Sequence, residues 1–264
     1  MKYGNLHTHT TFCDGRNTPE SMVFKALELG FDTLGFSGHS PLKGCDSWCM
    51  NEERVLTYYE EINRLKEKYK GWINILCGTE QDYFSPLPIV KYDYMIGSVH
   101  CFDMGDTLLP VDADRDLLQK IVDEYFNGDF LLMAEKYFGL VSDVVNKTGC
   151  DIIGHFDLIT KFNKLGYFFD EETPEYLEPG YRAIDKLIKT GRPFELNTGA
   201  MARGNLDRAY PAPAFIKYIK ENGGKLILTS DCHNLNFLDF AFDRYLSVAD
   251  AMTLEDLKDF KKLR

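Results

Sequence analysis

The chain has 264 residues and only six histidines, each at or just past the end of a strand-like apolar run. His7 and His9 follow the opening run, His39 follows 33–37, His100 follows 94–99, His155 follows 151–154 and His233 follows 225–230. Glu80, just past the run at 73–78, and Asp231 join them. Imidazole and carboxylate are the usual protein ligands of divalent transition metals. Side chains gathered at strand exits converge on the rim of a parallel barrel. His7-Thr8-His9 sets two imidazoles on one face of an extended segment, because side chains two apart point the same way. Alone, such a pair also suits a turn; alongside the other strand-exit residues it reads as a chelate. Glu80 is the residue expected to bridge two ions, since a carboxylate can offer one oxygen to each, whereas a neutral imidazole offers a single nitrogen. The alternative for Glu80 is a surface carboxylate capping a helix. A single histidine after a buried run, as at His100 or His155, also suits a satisfied core residue, but two in the same context favour ligands. Asp231-Cys232-His233 mirrors the His7/His9 pair in form, and in a closed barrel the last strand lies beside the first.

These residues need a frame to bring them together. The segment Thr18-Pro19-Glu20 is a helix start with proline at the first helical position, and Gly30 closes that helix. A strand at 33–37 leads to a long amphipathic helix at 52–69, with Val55, Tyr59, Ile62 and Leu65 on one face. Strands follow at 73–77 and 94–99, separated by a turn-rich stretch containing Pro86 and Pro88. Helical patterns at 114–126 and 130–148 precede strands at 151–154, 193–196 and 225–229. Helices near 175–190 and 213–221 lie between the last three strands and are stopped by Gly191 and Gly223. With the opening run at 3–7 this makes seven strands. The β/α alternation implies a parallel sheet, and ligand-type residues at every exit favour its closure into a (β/α)7 barrel, TIM-barrel-like, over an open doubly wound sheet. No linker, repeat or low-complexity stretch divides the chain, so residues 1–264 are expected to form a single domain.

The formal net charge of −11 and the pI near 5.0 oppose general nucleic-acid binding. No apolar run reaches the roughly 18 residues of a membrane span, and the first strand begins too early to leave room for a signal peptide. Seven scattered cysteines, an odd number, suit a reducing compartment. The expectation is a cytoplasmic protein with no membrane or nucleic-acid partner, for which an anionic small-molecule substrate stays open. Cys45 and Cys49 form a CxxxC pair that lacks two further ligands for a zinc site.

Taken together, the motifs resemble the polymerase and histidinol phosphatase (PHP) superfamily, and within it the histidinol-phosphatase branch. Those that carry the resemblance are His7-Thr8-His9 with Cys13-Asp14-Gly15, Gly35-Phe36-Ser37-Gly38-His39-Ser40-Pro41, Gly78-Thr79-Glu80-Gln81-Asp82-Tyr83 and Gly97-Ser98-Val99-His100. Further along are Gly154-His155-Phe156-Asp157-Leu158 with Lys161-Phe162, Glu195-Leu196-Asn197-Thr198-Gly199 and Ser230-Asp231-Cys232-His233. The resemblance implies a distorted seven-stranded barrel holding three divalent ions, with zinc, iron and manganese all acceptable to such ligands. By that analogy His7, His9, Glu80 and Asp231 bind one ion, Glu80, His100 and His155 a second, and His39 and His233 a third. Many relatives add another histidine to the third ion shortly after the H-x-H pair; this chain has none there, and Asp14 is the nearest candidate.

The activity implied is hydrolysis of L-histidinol phosphate, a step of histidine biosynthesis, by in-line attack of a metal-bound hydroxide, with Glu80, Asp231 and His233 as the catalytic residues. Arg203 and Lys161 are expected to bind the phosphate, a guanidinium because it forks onto the oxygens. Two rivals stand beside this reading. One is a phosphoesterase of the same family acting on a nucleotide or small phosphodiester. The other is a metal-binding module without catalysis, which the filled ligand positions oppose.

Overall fold

In this computed structural model, which describes residues 4–250, the strands are β1 (Gly4–Asn5), β2 (Thr33–Phe36), β3 (Asn74–Asp82), β4 (Tyr94–Ser98), β5 (Cys101–Asp103), β6 (Leu108–Pro110), β7 (Ile152–Ile153), β8 (Phe194–Asn197) and β9 (Leu226–Thr229). Seven of them form one parallel sheet in the order β1-β2-β3-β4-β7-β8-β9, while β5 and β6 make a separate antiparallel hairpin. The sheet curls nearly shut. Just beyond β1 and β9, Thr8 and Cys232 form a parallel bridge, with His9 N–H donating to the Cys232 carbonyl at 2.9 Å and Cys232 N–H to that of His7 at 3.0 Å. This is the (β/α)7 barrel that the alternation implied, in the distorted form that the family resemblance implied.

Helix starts follow the capping chemistry of the sequence. The Thr18 side chain caps α1 (Pro19–Glu28) by accepting from Ser21 N–H, and Gly30, at φ 71, takes the left-handed turn out. Asn51 caps α2 (Glu52–Lys68), whose buried stripe is Val55, Tyr58, Ile62 and Leu65; Tyr58 takes the place expected for Tyr59, which is only half-buried. After α3 (Arg115–Tyr125), the expected helix at 130–148 is broken into α4 (Phe130–Val141) and α5 (Val144–Thr148). The break falls at Asp143, whose carboxylate accepts from Tyr83 and from Asn146 instead of solvating a continuous helix. Prolines open both α6 (Pro174–Ile188) and α8 (Pro213–Glu221), on either side of the short α7 (Gly199–Ala202); α9 (Phe242–Tyr245) follows the last strand.

Two apolar layers hold the frame. The larger packs helices against the outside of the sheet and includes Phe138, Phe156, Tyr176 and Phe215. A small inner cluster of Leu6, Tyr94, Ile96, Ile152 and Ile227 fills the barrel itself. Tyr94 spans this interior, its hydroxyl donating to the carbonyls of Leu6 at 2.5 Å and Phe36 at 3.1 Å. Gly35 leaves it room: a Cβ there would lie 2.4 Å from the Tyr94 hydroxyl. The inner plug thus forms a floor, and the polar strand-exit residues form the mouth above it.

Candidate metal centre

Glu80 stands at the centre of the mouth. β3 runs longer than the sequence suggested, through Asp82, so Glu80 is a strand residue fixed by pairing to Ile96 on β4. Its two oxygens face different partners. Oε1 accepts from Ser98 Oγ at 2.7 Å and lies 2.8 Å from His155 Nε2 and 3.2 Å from His100 Nε2. Oε2 lies 3.1 Å from His39 Nδ1, 3.2 Å from His7 Nε2 and 3.4 Å from His9 Nε2. Asp231 closes the first side, its Oδ1 3.5 Å from His7 Nε2 and 3.3 Å from His9 Nε2. The residues just past the first and last strands of the barrel therefore meet, as barrel closure required. Asp231 itself sits at φ 47, a left-handed backbone conformation.

A second grouping lies toward solvent. Asp14 Oδ2 is 3.1 Å from His233 Nε2, and its Oδ1 is 3.7 Å from His39 Nε2 and 3.5 Å from His9 Nδ1. The loop that carries Asp14 folds back so tightly that a Cβ at Gly15 would sit 2.4 Å from the His9 carbonyl carbon. Only glycine fits there, which explains the Cys13-Asp14-Gly15 sequence.

The donor set fits divalent cations. Three groups place one ligand atom per residue within 4.8 Å of each other: His9, Asp14, His39 and His233; His7, His9 and Glu80; His39, Glu80 and His100. Among the described residues, the buried Oε2 of Glu80 accepts no well-aligned hydrogen bond although three ring nitrogens surround it. The electrostatics point the same way. Burial would strip the proton from His7, but Glu195, Glu80 and Asp231 outweigh it and lift its pKa to about 10. His100 is likewise raised against burial, by Glu80 and Asp82. Burial drops His39 to about 3, with Glu80 only partly opposing it. Glu80 and Asp231 are held well below the usual carboxylate range, the cost of burial being outweighed by His7 and His39 at Glu80 and by Arg203 and His7 at Asp231. Without a cation, the buried carboxylates must be neutralised by protonated imidazoles. A cation does the same work and releases those protons.

Two acids behind the histidines are not among the site residues expected from the sequence, where Asp82 is at most a partner for a substrate ammonium, although both fall inside motifs singled out there. Glu195 Oε1 is 2.6 Å from His7 Nδ1, and Asp82 Oδ2 is 3.0 Å from His100 Nδ1. For Glu195 the signal available was a carboxylate between apolar strand neighbours, Phe194 and Leu196; Asp82, beside Glu80 and Gln81, carried no such signal. The β5–β6 hairpin was also unforeseen. It follows His100 directly and brings Asp112 over the mouth, where Lys161 Nζ reaches Asp112 Oδ2 at 2.9 Å. Arg203 also lines the mouth, with Nη2 2.9 Å from Asp231 Oδ2 and Nη1 3.1 Å from His233 Nδ1. A cavity of about 630 Å³ opens above this floor, lined by Glu80, Asp231, His233, Lys161 and Arg203. Arg16 lines it too, and among the described residues its guanidinium makes no ion pair.

Fold and mouth together define a parallel β/α barrel with a clustered histidine–carboxylate centre beneath a small-molecule cavity. The match to known proteins narrows the class: residues 5–199 fit the PHP domain model. The chain belongs to the PHP domain family. It is 28% identical over 247 residues to the Deinococcus radiodurans protein named "Probable histidinol-phosphatase", covering 89% of this chain and 88% of that one. It is 25% identical over 271 residues to the histidinol-phosphatase of Bacillus subtilis, covering 93% and 99% of the two chains. Among solved structures, the histidinol phosphate phosphatase of Lactococcus lactis, in complex with zinc, L-histidinol and phosphate, shares the fold with a TM-score of 0.65 at 21% identity, covering 99% of this chain and 92% of that one.

Proposed function

We propose that this chain is a phosphatase that hydrolyses L-histidinol phosphate to L-histidinol and phosphate at a centre of three divalent cations. The observation that carries the chemistry is the split of Glu80, one oxygen toward His100 and His155 and the other toward His7, His9 and His39. The substrate rests on relatives named as histidinol-phosphatases that align over most of the chain. One ion falls to His7, His9, Glu80 and Asp231, a second to Glu80, His100 and His155, and a third to Asp14, His39 and His233. Zinc has the strongest claim, since the Lactococcus lactis protein holds it. Bound cations of this kind acidify water and neutralise charge on the phosphoryl oxygens.

The chain's own groups supply the rest. Asp231 stays unprotonated, because Arg203 and His7 outweigh its burial, so its carboxylate can help hold a cation and orient the attacking water by accepting its hydrogen bond. Arg203 and Lys161, both lining the cavity, bind the phosphate, with Arg16 as a further lining cation. His233, beside Arg203 and Asp14, completes the wall nearest solvent. Seven free thiols suit a reducing, cytoplasmic setting.

The deciding experiment measures phosphate release from L-histidinol phosphate and from a panel of nucleotides and small phosphodiesters, before and after chelation, with metal analysis of the purified protein. Preference for L-histidinol phosphate, abolished by chelation and restored by zinc or manganese, is the expected outcome. A metal-dependent activity with no such preference transfers the chemistry to another phosphate ester. Activity indifferent to chelation refutes the proposal.

A further inference from the structure

Glu195 is fully buried on β8, and among the described residues no lysine or arginine pairs with it. A carboxylate kept in such a place is expensive unless each lone pair it presents meets a donor. Its two oxygens have different partners. Oε1 lies 2.6 Å from His7 Nδ1, beyond β1. Oε2 accepts the backbone N–H of His155, just past β7, at 2.9 Å and Asn197 Nδ2 at 3.1 Å.

We propose that Glu195 is the positioning residue that couples two of the ion sites, holding His7 for one and His155 for the other. This inference rests on the metal centre of the proposed function. The two histidines stand on opposite oxygens of Glu80, His7 Nε2 at 3.2 Å from Oε2 and His155 Nε2 at 2.8 Å from Oε1. By accepting from Nδ1, Glu195 keeps the His7 proton there and leaves the Nε2 lone pair facing the mouth. By gripping the His155 peptide it sets the point from which that imidazole reaches inward. Asp82 does the equivalent for one histidine only, accepting both Nδ1 and the backbone N–H of His100 at 3.0 Å each. An amide cannot replace Glu195. Whichever way glutamine is turned, its NH2 faces either His7 Nδ1–H or the donors on His155 and Asn197, so one side always sets donor against donor.

The test compares wild type, Glu195→Gln and Asp82→Asn, each stripped and reloaded with zinc. Stoichiometry and affinity are read by titration against a competing chelator, and His7 by 15N NMR of histidine-labelled protein. Loss of an orienting partner weakens a bound ion by about 10- to 100-fold. Glu195→Gln is expected to weaken two ions by that factor and Asp82→Asn only one, while the loaded wild type shows a proton on His7 Nδ1. Undiminished affinity in Glu195→Gln, weakening of a single ion, or a His7 Nδ1 without a proton overturns the coupling role. If Glu195→Gln fails to fold when stripped, the wild-type NMR decides. A wild type that binds no zinc overturns both this inference and the metal reading. Turnover is not part of the readout, so a different substrate leaves the result standing.

Discussion

Replacing Arg203 with methionine separates the two duties of that side chain. In the metal-free protein its guanidinium holds Asp231 through Nη2 to Oδ2 at 2.9 Å and through Nη1 to the backbone carbonyl at 3.2 Å. Hydrogen bonds to charged groups contribute about 1.5–3 kcal/mol each when buried. With Arg203 30% exposed, solvent screening brings the pair down to about 1–3 kcal/mol in total. A divalent cation beside Asp231 supplies the same compensation, so Arg203→Met destabilises the stripped protein more than the loaded one. By linkage, the variant binds metal at least as tightly as wild type, and about fivefold more tightly for each 1 kcal/mol of that difference. Turnover moves the other way. Losing one preorganised donor on developing negative charge costs about 100- to 1,000-fold in kcat. The assay pairs phosphate release under saturating metal with chelator titration and melting of both forms. A variant that loses its metal, or that turns over at near-normal rates, refutes the placement of Arg203 on the phosphate.

Two further outcomes follow from the same geometry. Gly15→Ala pushes a Cβ against the His9 backbone, displacing Asp14; the chain should still fold but bind one ion fewer by metal analysis, and full occupancy counts against Asp14 as a ligand. Asp157, fully buried, has its pKa pushed from 3.8 up to about 6 by burial, with Arg208 only partly opposing. The folded chain therefore holds this proton more tightly than the unfolded chain, and the group's contribution to stability falls as pH rises between about 4 and 6, then levels off. At about 1.4 kcal/mol per pH unit the change is at most about 3 kcal/mol. Urea unfolding across that window should show Asp157→Asn gaining on wild type as pH rises, and parallel curves contradict the assignment.

Much of the frame was legible because local chemistry set it. Thr18 and Asn51 cap their helices through their own side chains, and Gly30 has no Cβ to oppose a left-handed turn. Where a side chain had a partner far along the chain, the local pattern misled. Asp143 breaks an otherwise continuous helix because Tyr83 reaches it, and Tyr58 rather than Tyr59 turns inward, where its hydroxyl donates to the Gly78 carbonyl.

For the site, residue type and position at strand exits determined which groups gather at the mouth, because strand order and closure carry every exit to the same rim. Only the tertiary structure decided which atom faces which. The division of Glu80 between two sets of imidazoles, the placement of Asp14 beside His233, and the orienting roles of Glu195 and Asp82 depend on strand stagger and side-chain direction. Those are set by packing between segments as far apart as His7 and Glu195, a separation across which sequence periodicity carries no information.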